Sequence, residues 1–228
     1  MIPWLRLETA QVPGSGELRL MRRGAEFSIM FGDVELMNSR LSGSEQALAT
    51  IACERIRGRE QPQVLIGGLG MGFTLRAALA ALGADARITV AELMPPVLAW
   101  ARGPLVEIFG TSLTDPRVSV REVDVGHVIR SARSAYDAIL LDVDNGPHGL
   151  IRKANDELYD LAGLSVAHAA LRAGGVLAVW SSGPDANFVQ RLRKTGFRVD
   201  EVRVNANGAR GGPRHRVWIA TRADPGRG

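Results

Sequence analysis

A glycine-rich segment between an apolar run and a helix-forming run constrains the fold of this chain more than any other feature. The segment Gln63–Thr74 reads Q-V-L-I-G-G-L-G-M-G-F-T, and its apolar part, Val64–Ile66, is typical of a buried parallel strand. The stretch T-L-R-A-A-L-A-A-L that follows has the alanine and leucine content of a helix. Since glycine has no Cβ, backbone N–H groups of such a loop can approach a ligand at the positive end of the helix. The segment therefore predicts a strand, a ligand-binding loop and a helix in succession.

An acidic residue after the next apolar run gives this loop a specific partner. The candidate loop residues are Gly68, Leu69, Gly70, Met71 and Gly72. Their spacing is not the full G-x-G-x-x-G motif, and a strand-to-helix turn without a ligand explains it equally well. Glu92 ends the run Ala86–Ala91, about 20 residues beyond the last loop glycine, where an acid accepts both hydroxyls of a ribose. Loop and acid together indicate a nucleoside ligand.

Composition and charge place the chain among ordinary globular proteins. Its 228 residues fit one α/β domain with a small appendage, and 46% of them are apolar against 23% charged. No run approaches the roughly 18 apolar residues of a membrane span, and the first residues lack the pattern of a signal peptide. The sole cysteine, Cys53, lies in a helical pattern and cannot form an internal disulfide. We therefore expect a cytoplasmic protein without membrane association.

The order of the predicted elements gives the fold class. Repeated β-α units predict a mostly parallel, Rossmann-like doubly wound sheet, and a closing β-β pair predicts an antiparallel C-terminal edge strand. That ending favours an α/β fold of the class I methyltransferase type over a nicotinamide dehydrogenase. Four segments follow: a β-meander at 1–40, a connecting helix and linker at 41–62, a Rossmann-like ligand-binding domain at 63–222 and a tail at 223–228. The predicted helices include one that Ser42 or Ser44 caps, and others at Met94–Phe109, Gly126–Arg133 and Asp156–Leu171.

Acidic residues follow four of the five predicted parallel strands, at the sheet edge where such folds bind ligands. Asp124, with Val125 beside it, follows the third strand. Its carboxylate can accept from an adenine amino group, or it can cap the next helix, and both roles are compatible. Asp142, Asp144 and Asn145 follow the fourth strand. This repetition is more specific than any single acid.

The segment Asp142–Gly149, D-V-D-N-G-P-H-G, carries the most unusual set of side chains. If Asp142 and Asp144 lie close together, they can hold a cationic amine and accept its proton as it becomes a nucleophile. The alternative is a solvated Asx turn. His148 is either a base or, more simply, polar surface. No spacing supports a metal site, so no metal is predicted.

Several motifs at once resemble the spermidine synthase family, the polyamine aminopropyltransferases. V-L-I-G-G-L-G-M-G-F-T-L-R is similar to the family's V-L-x-I-G-G-G-D-G-G-T-x-R, and A-E-L-M-P-P-V is similar to V-E-I-D-x-x-V. D-P-R-V-S-V-R-E-V-D-V resembles D-P-R-V-x-V-x-x-x-D-G, and Y-D-A-I-L-L-D-V-D-N-G-P resembles Y-D-V-I-I-x-D-x-x-D-P-x-G-P. N-D-E-L-Y resembles the E-F-Y stretch that follows. The match covers roughly Gln63–Trp180, and the β-meander looks like a reduced form of the family's N-terminal β-domain.

The resemblance implies a transferase whose alkyl donor is S-adenosylmethionine or decarboxylated S-adenosylmethionine. The loop Gly68–Gly72 would hold the tail of this donor, Glu92 with Leu93 its ribose, and Asp124 with Val125 its adenine. Asp142 matches the family's catalytic aspartate, which binds and deprotonates an attacking amine. An aminopropyl or methyl group would then move to a small-molecule amine. The family also suggests a homodimer formed through the β-meander.

Three departures from the family pattern bear on the reaction. Met71 stands where the family's glycine loop carries an aspartate, which favours the carboxylated donor and methyl transfer. The family's Tyr-His-Glu stretch has become Gly43–Glu45, in which only Glu45 matches. Asn145 occupies the slot of the second loop acid, and Asp144 precedes it. The D-x-D-N-G-P loop still favours an amine acceptor.

Two other function classes are compatible with parts of the sequence. The net charge of +4 and the arginines in the segment 210–216 suggest a nucleic-acid methyltransferase or binding module. However, no aromatic-interleaved basic stripe and no N-P-P-Y-like element for a flipped base accompany them, which disfavours nucleic acid. The departures also fit an adenosyl-nucleoside-binding protein that has lost catalysis.

Overall fold

Two sheets organise the chain, and the N-terminal one is entirely antiparallel. The computed structural model describes residues 2–12, 16–142 and 157–224. The N-terminal sheet has the order β1-β2-β3-β4, so each strand pairs with the next one along the chain. Its strands are β1 Leu5–Val12, β2 Gly16–Arg23, β3 Glu26–Phe31 and β4 Val34–Asn38. The predicted β-meander is confirmed.

The larger sheet has seven strands in the order β10-β11-β9-β8-β5-β6-β7. Its central strands β5 to β9 pair in parallel, whereas β11 is antiparallel to both β9 and β10. The strands are β5 Gln63–Gly67, β6 Arg87–Glu92, β7 Val118–Glu122, β8 Tyr136–Leu141, β9 Leu171–Ser181, β10 Phe197–Asn205 and β11 Arg214–Arg222. Only a short 3-10 turn, Gly208–Arg210, lies between β10 and β11, and β11 returns beside β10 in the opposite direction. This is the predicted Rossmann-like fold of the class I methyltransferase type, and it is confirmed.

Helices cover both faces of the larger sheet. They are α1 Gly43–Arg55, α2 Phe73–Ala81, α3 Pro95–Arg102, α4 Val106–Phe109, α5 Val125–Arg130, α6 Leu161–Ala170 and α7 Ala186–Lys194. Because side chains alternate along a strand, Val64 and Ile66 belong to one core, and Leu65 between them belongs to the other. Among the helices of the described ranges, none is long and apolar enough to cross a membrane.

Some helix boundaries differ from those that the sequence predicts. The helix predicted at Met94–Phe109 is two helices, because Pro104 has no N–H to donate and disfavours helical backbone at Gly103. The predicted start at Asp156 lies outside the described residues. The end of that helix is at Ala170 rather than Leu171, which opens β9.

The start of α1 also differs from its prediction. Ser42 does precede the helix, but no side chain caps its first backbone N–H groups. The Ser42 hydroxyl instead accepts a hydrogen bond from the Gln46 side chain at 3.0 Å. Ser44 lies within the first turn, where its hydroxyl bonds Glu45.

The N-terminal sheet packs directly onto the larger domain. Leu18, Leu20 and Ile29 are buried in the same core as Trp100 of α3. The indole Nε1 of Trp100 donates to Glu8 Oε2 of β1 at 2.7 Å. The sheet therefore lies beside the carboxyl ends of the central parallel strands, next to the glycine loop.

Candidate functional site

The glycine loop adopts a conformation that other residues would strain. Gly70 and Gly72 have φ values of +51° and +76°, in the left-handed region. A Cβ on Gly70 would lie 2.9 Å from Met37 Cε, and one on Gly72 would lie 2.4 Å from the ring of Phe109. The N–H of Gly68 is bonded to the carbonyl of Ala91 on the neighbouring strand at 2.9 Å. The loop is thus fixed against β6 on one side and the N-terminal sheet on the other.

Glu92 determines the shape of this loop. The residue is only 6% exposed, and its Oε2 and Oε1 accept from the N–H groups of Leu69 and Met94 at 2.8 and 2.7 Å. Burial raises the pKa of Glu92, and the two hydrogen bonds from Leu69 and Met94, with the nearby N–H groups of Gly70 and Leu93, oppose the shift. Each carboxylate oxygen has a second lone pair, so these bonds leave capacity for ribose hydroxyls. The organising role of Glu92 was not foreseen from the sequence.

A cavity of about 150 Å³ brings the predicted nucleoside-binding residues together. One wall consists of Gly68, Gly70, Glu92, Leu93, Asp124 and Val125, and Asp142 lies at the same cavity. The opposite wall is apolar and comes from the N-terminal sheet, with Leu18, Ile29, Leu36 and Met37. The strand ends therefore converge on one shared space, as their topology requires.

Asp124 has the capping role that the sequence left open. Its Oδ1 accepts from the N–H of His127 at 3.0 Å in the first turn of α5. Its side chain also borders the larger cavity. A cap uses one carboxylate oxygen, so a contact with an adenine amino group is still compatible with this geometry.

A second cavity, of about 120 Å³, lies on the other side of the glycine loop. Glu45, Thr74, Trp180 and Met71 line it. Both cavities share Gly68, Gly70, Leu36, Met37 and Asp142. Asp142 therefore lies where the larger cavity meets the smaller one. Met71, only 2% exposed, gives the second cavity an apolar thioether wall at the position where the family has an acid.

Two carboxyl groups share the second cavity. Burial first and the negative charge of Glu45 second raise the pKa of Asp142 to about 7, and a hydrogen bond from Thr74 Oγ1 to Asp142 Oδ2 at 3.3 Å opposes the shift. Burial also raises the pKa of Glu45, although Ser44 Oγ donates to Glu45 Oε2 at 2.6 Å. Two acids that resist ionising together form a site that an organic cation would stabilise. In the described ranges, no group of three or more His, Cys, Asp or Glu side chains is arranged to hold a metal ion.

Some predicted site residues lie outside the part of the chain that the structure describes. These are Asp144, Asn145 and His148, whose roles stay predictions. Conversely, the structure adds Thr74, Trp180 and His215, none of which the sequence singled out. Trp180 lies at the carboxyl end of β9 and Thr74 follows the glycine loop, so the rule that placed Asp142 at this end of the sheet applies to them. Nothing in the local sequence marks His215.

The raised pKa of Asp142 makes the stability of the protein depend on pH. The folded pKa of about 7 exceeds the ordinary value of 3.8, so Asp142 contributes stability that is fully present below pH 3.8 and is lost as the pH rises to about 7. We expect Asp142→Asn, which cannot ionise, to lose less stability than the native chain across this interval. Urea denaturation at several pH values checks this, and parallel pH profiles for the two chains would contradict it.

Known proteins are similar to this chain in part of its sequence and in its fold. No family model matches the sequence. Polyamine aminopropyltransferase 1 of Streptomyces coelicolor is 38% identical over 101 residues, which cover 43% of this chain and 19% of that protein. The polyamine aminopropyltransferase of Korarchaeum cryptofilum is 31% identical over 132 residues, which cover 57% of this chain and 39% of that protein. The aligned part thus spans between about a fifth and two-fifths of these curated relatives.

A solved structure extends the likeness to nearly the whole fold. A spermidine synthase in complex with the transition-state analogue AdoDATO superimposes with a TM-score of 0.76 at 16% identity. The superposition covers 96% of this chain and 72% of that one. The similarity to spermidine synthases that the motifs indicate is therefore confirmed at the level of the fold, and the N-terminal β-sheet is part of the shared fold.

Proposed function

We propose that this spermidine synthase-like chain is a transferase that binds an adenosyl-sulfonium alkyl donor and alkylates a small amine. The observation that carries the proposal is the position of Asp142, which borders both cavities at the glycine loop. Besides Asp142, the larger cavity offers Glu92 and Asp124 opposite an apolar wall, which suit a nucleoside. The smaller one offers two carboxyl groups, which suit an ammonium group.

The residues around the larger cavity provide complementary groups for the donor. Glu92 would accept the ribose hydroxyls through its remaining lone pairs, and Asp124 would accept from the adenine amino group. Leu36 and Met37 supply an apolar surface that excludes water from the sulfonium. Because Glu92 already holds the loop, little reorganisation is needed on binding, which favours affinity.

The residues around the smaller cavity would activate the acceptor. Asp142 and Glu45 attract the ammonium group, and Asp142, oriented by Thr74, takes its proton. The free amine then attacks the carbon next to sulfur, so that an N–C bond forms, the C–S bond breaks and the sulfur leaves as a neutral thioether. Positioning and desolvation supply much of the rate enhancement in such a step.

The group transferred is aminopropyl or methyl, according to the donor that binds. The similar proteins named polyamine aminopropyltransferase favour the decarboxylated donor. The apolar wall at Met71 lacks the acid that would pair with an amine on the donor's tail, and this favours S-adenosylmethionine and methyl transfer. A homodimer and an acceptor of the polyamine class stay predictions from the family likeness.

Calorimetry tests the donor site directly. We expect methylthioadenosine and one of the two sulfonium donors to bind, and Glu92→Gln to weaken binding of methylthioadenosine by about tenfold or more, or about 1.4 kcal/mol. The reason is that the NH2 group of the glutamine amide is a hydrogen-bond donor. It would face backbone N–H groups or the ribose where the carboxylate offers an acceptor oxygen. Glu122→Gln is the matched control, since Glu122 is exposed and lies opposite Glu92 in the β6–β7 register.

Donor binding, amine alkylation and nucleic-acid binding, measured side by side, separate the alternatives. If neither donor nor methylthioadenosine binds, the proposal is wrong. If a donor binds but no amine is alkylated, a nucleoside-binding role without catalysis is the better account. Nucleic-acid affinity that falls steeply with salt would instead indicate a nucleic-acid substrate.

A further inference from the structure

We infer that Glu45, Ser44 and His215 form a chain of hydrogen bonds that carries the proton released by the amine out of the acceptor cavity. Ser44 Oγ lies 2.6 Å from Glu45 Oε2 and 3.0 Å from His215 Nδ1. Glu45 lines the cavity with Asp142, whereas His215 is partly exposed. The inference rests on the proposed function, because it is the alkylation of an ammonium group that releases the proton.

The position of Ser44 is fixed by the docking of α1 on the connection between β10 and β11. The N–H of Gly43 donates to the carbonyl of Ala206 at 2.8 Å. A Cβ on Gly43 would lie 2.1 Å from the backbone N of Gly208, so the two segments approach as closely as glycine permits. Ser44 itself is 1% exposed. The hydroxyl is therefore held between the cavity and β11.

The ring of His215 is fixed from two sides. On β11 it lies opposite Val204 of β10, and the indole of Trp180 on β9 packs edge-on against it, with ring centroids 4.8 Å apart. Val204 and Trp180 carry no charge. The imidazole is linked to the carboxyl group of Glu45 through the hydroxyl of Ser44. Trp180 also lines the acceptor cavity, so its indole lies between that cavity and the imidazole of His215.

The hydrogen-bond geometry allows two proton arrangements. A serine hydroxyl has one proton to donate. When Glu45 is protonated, it donates to Ser44, which donates to the neutral Nδ1 of His215. When Glu45 is ionised, Ser44 donates to Glu45 and His215 Nδ1–H donates to Ser44. The first arrangement becomes the second by moving one proton along each bond.

This exchange balances the chemistry of the reaction. The ammonium group gives one proton to the two carboxyl groups that line the cavity, Asp142 and Glu45, and Glu45 is the one that is hydrogen-bonded to Ser44. Glu45 loses a proton to Ser44, Ser44 loses its own to His215 Nδ1, and the imidazolium releases its Nε2 proton to water. Burial lowers the pKa of His215, so the ring is neutral near pH 7 and releases the proton readily.

The ring tautomer of His215 is a direct signature of this chain, and nitrogen-15 NMR measures it without any turnover. In the native chain we expect His215 to change from the Nε2–H to the Nδ1–H tautomer as Glu45 ionises with rising pH. Ser44→Ala and Glu45→Gln should abolish the change, and Ser44→Thr, which keeps a hydroxyl, should retain it. The His215→Gln variant identifies the resonance. A tautomer that is independent of pH, or one that still changes in Ser44→Ala, would overturn the inference.

Kinetics then test whether the chain serves the reaction. We expect His215→Gln to lower kcat on the order of tenfold, less than the 10² to 10⁴ of a direct general base, with the donor Kd unchanged. Added imidazole should restore the activity of His215→Ala. Unchanged kcat in His215→Gln overturns the exit role, while failure of the native chain to bind either donor overturns the proposed function instead.

Discussion

Replacement of Asp142 by asparagine should lower kcat by a factor of about 10² to 10⁴, the range that a positioned general base contributes. The amide has the size of the carboxylate and can still accept from Thr74, so the cavity keeps its shape. It has no charge to attract an ammonium group and cannot take its proton. We therefore expect the effect in the chemical step and in KM for the amine rather than in donor affinity.

Steady-state kinetics with calorimetry of methylthioadenosine separates these effects. The nucleoside Kd should stay within a few-fold of the native value, because Glu92 and Asp124 are unchanged. Glu107→Gln on α4 is a control of equal charge change at an exposed carboxylate. An Asp142→Asn variant that turns over within tenfold of the native rate would mean that another group, such as the predicted Asp144, is the base.

The largest stability effect should come from Asp137, at the opposite edge of the sheet from the site. Asp137 is 1% exposed, and its carboxylate oxygens accept from Arg59 Nη1 at 2.6 Å, Arg172 Nη1 at 2.8 Å and the N–H of Gln63 at 2.8 Å. Removing one partner of a buried ion pair costs 3 to 5 kcal/mol. Both arginines are partly exposed and keep contact with water, so we expect a loss near the lower value, about 3 kcal/mol, for Asp137→Ala.

Chemical and thermal denaturation measure this effect. For a chain of this length, a loss of about 3 kcal/mol corresponds to a fall in Tm of about 6 to 12 °C. Asp33→Ala is the control, since Asp33 is fully exposed with one long contact to Arg19 at 3.5 Å, and we expect it to cost less than about 0.5 kcal/mol. A loss below about 1 kcal/mol for Asp137→Ala would show that the two arginines are equally well solvated without it.

The features that the sequence predicts correctly are those that local pattern and parallel topology determine. Val64–Ile66 has the apolar run of a buried strand, and Glu92 ends the next run, so both carboxyl ends must reach the same sheet edge. Asp124 and Asp142 follow the same rule and border the same cavity. The helix predicted across Pro104 was wrong because apolar periodicity continues through a residue that cannot continue the backbone hydrogen bonds.

The features that the sequence does not reveal depend on distant contacts. Ser44 and His215 are 171 residues apart, and only the antiparallel return of β11 beside α1 brings them together. Glu45 was recognised as a motif match, but its effect on the ionisation of Asp142 depends on a shared cavity that no spacing encodes. Likewise, the hydrogen bonds from the loop to Glu92 follow from how the loop folds back over β6.

The N-terminal sheet forms one wall of the larger cavity, and this has a thermodynamic consequence. A molecule seated between Met37 and Glu92 would touch both sheets at once. Its binding free energy would then add to the cohesion between them, by RT ln(1 + [L]/Kd) for a ligand that binds only the native state. A bound ligand would thus make the two sheets unfold as one cooperative unit. A chain that begins at residue 41 would lose both the affinity for the ligand and the stabilisation that binding gives.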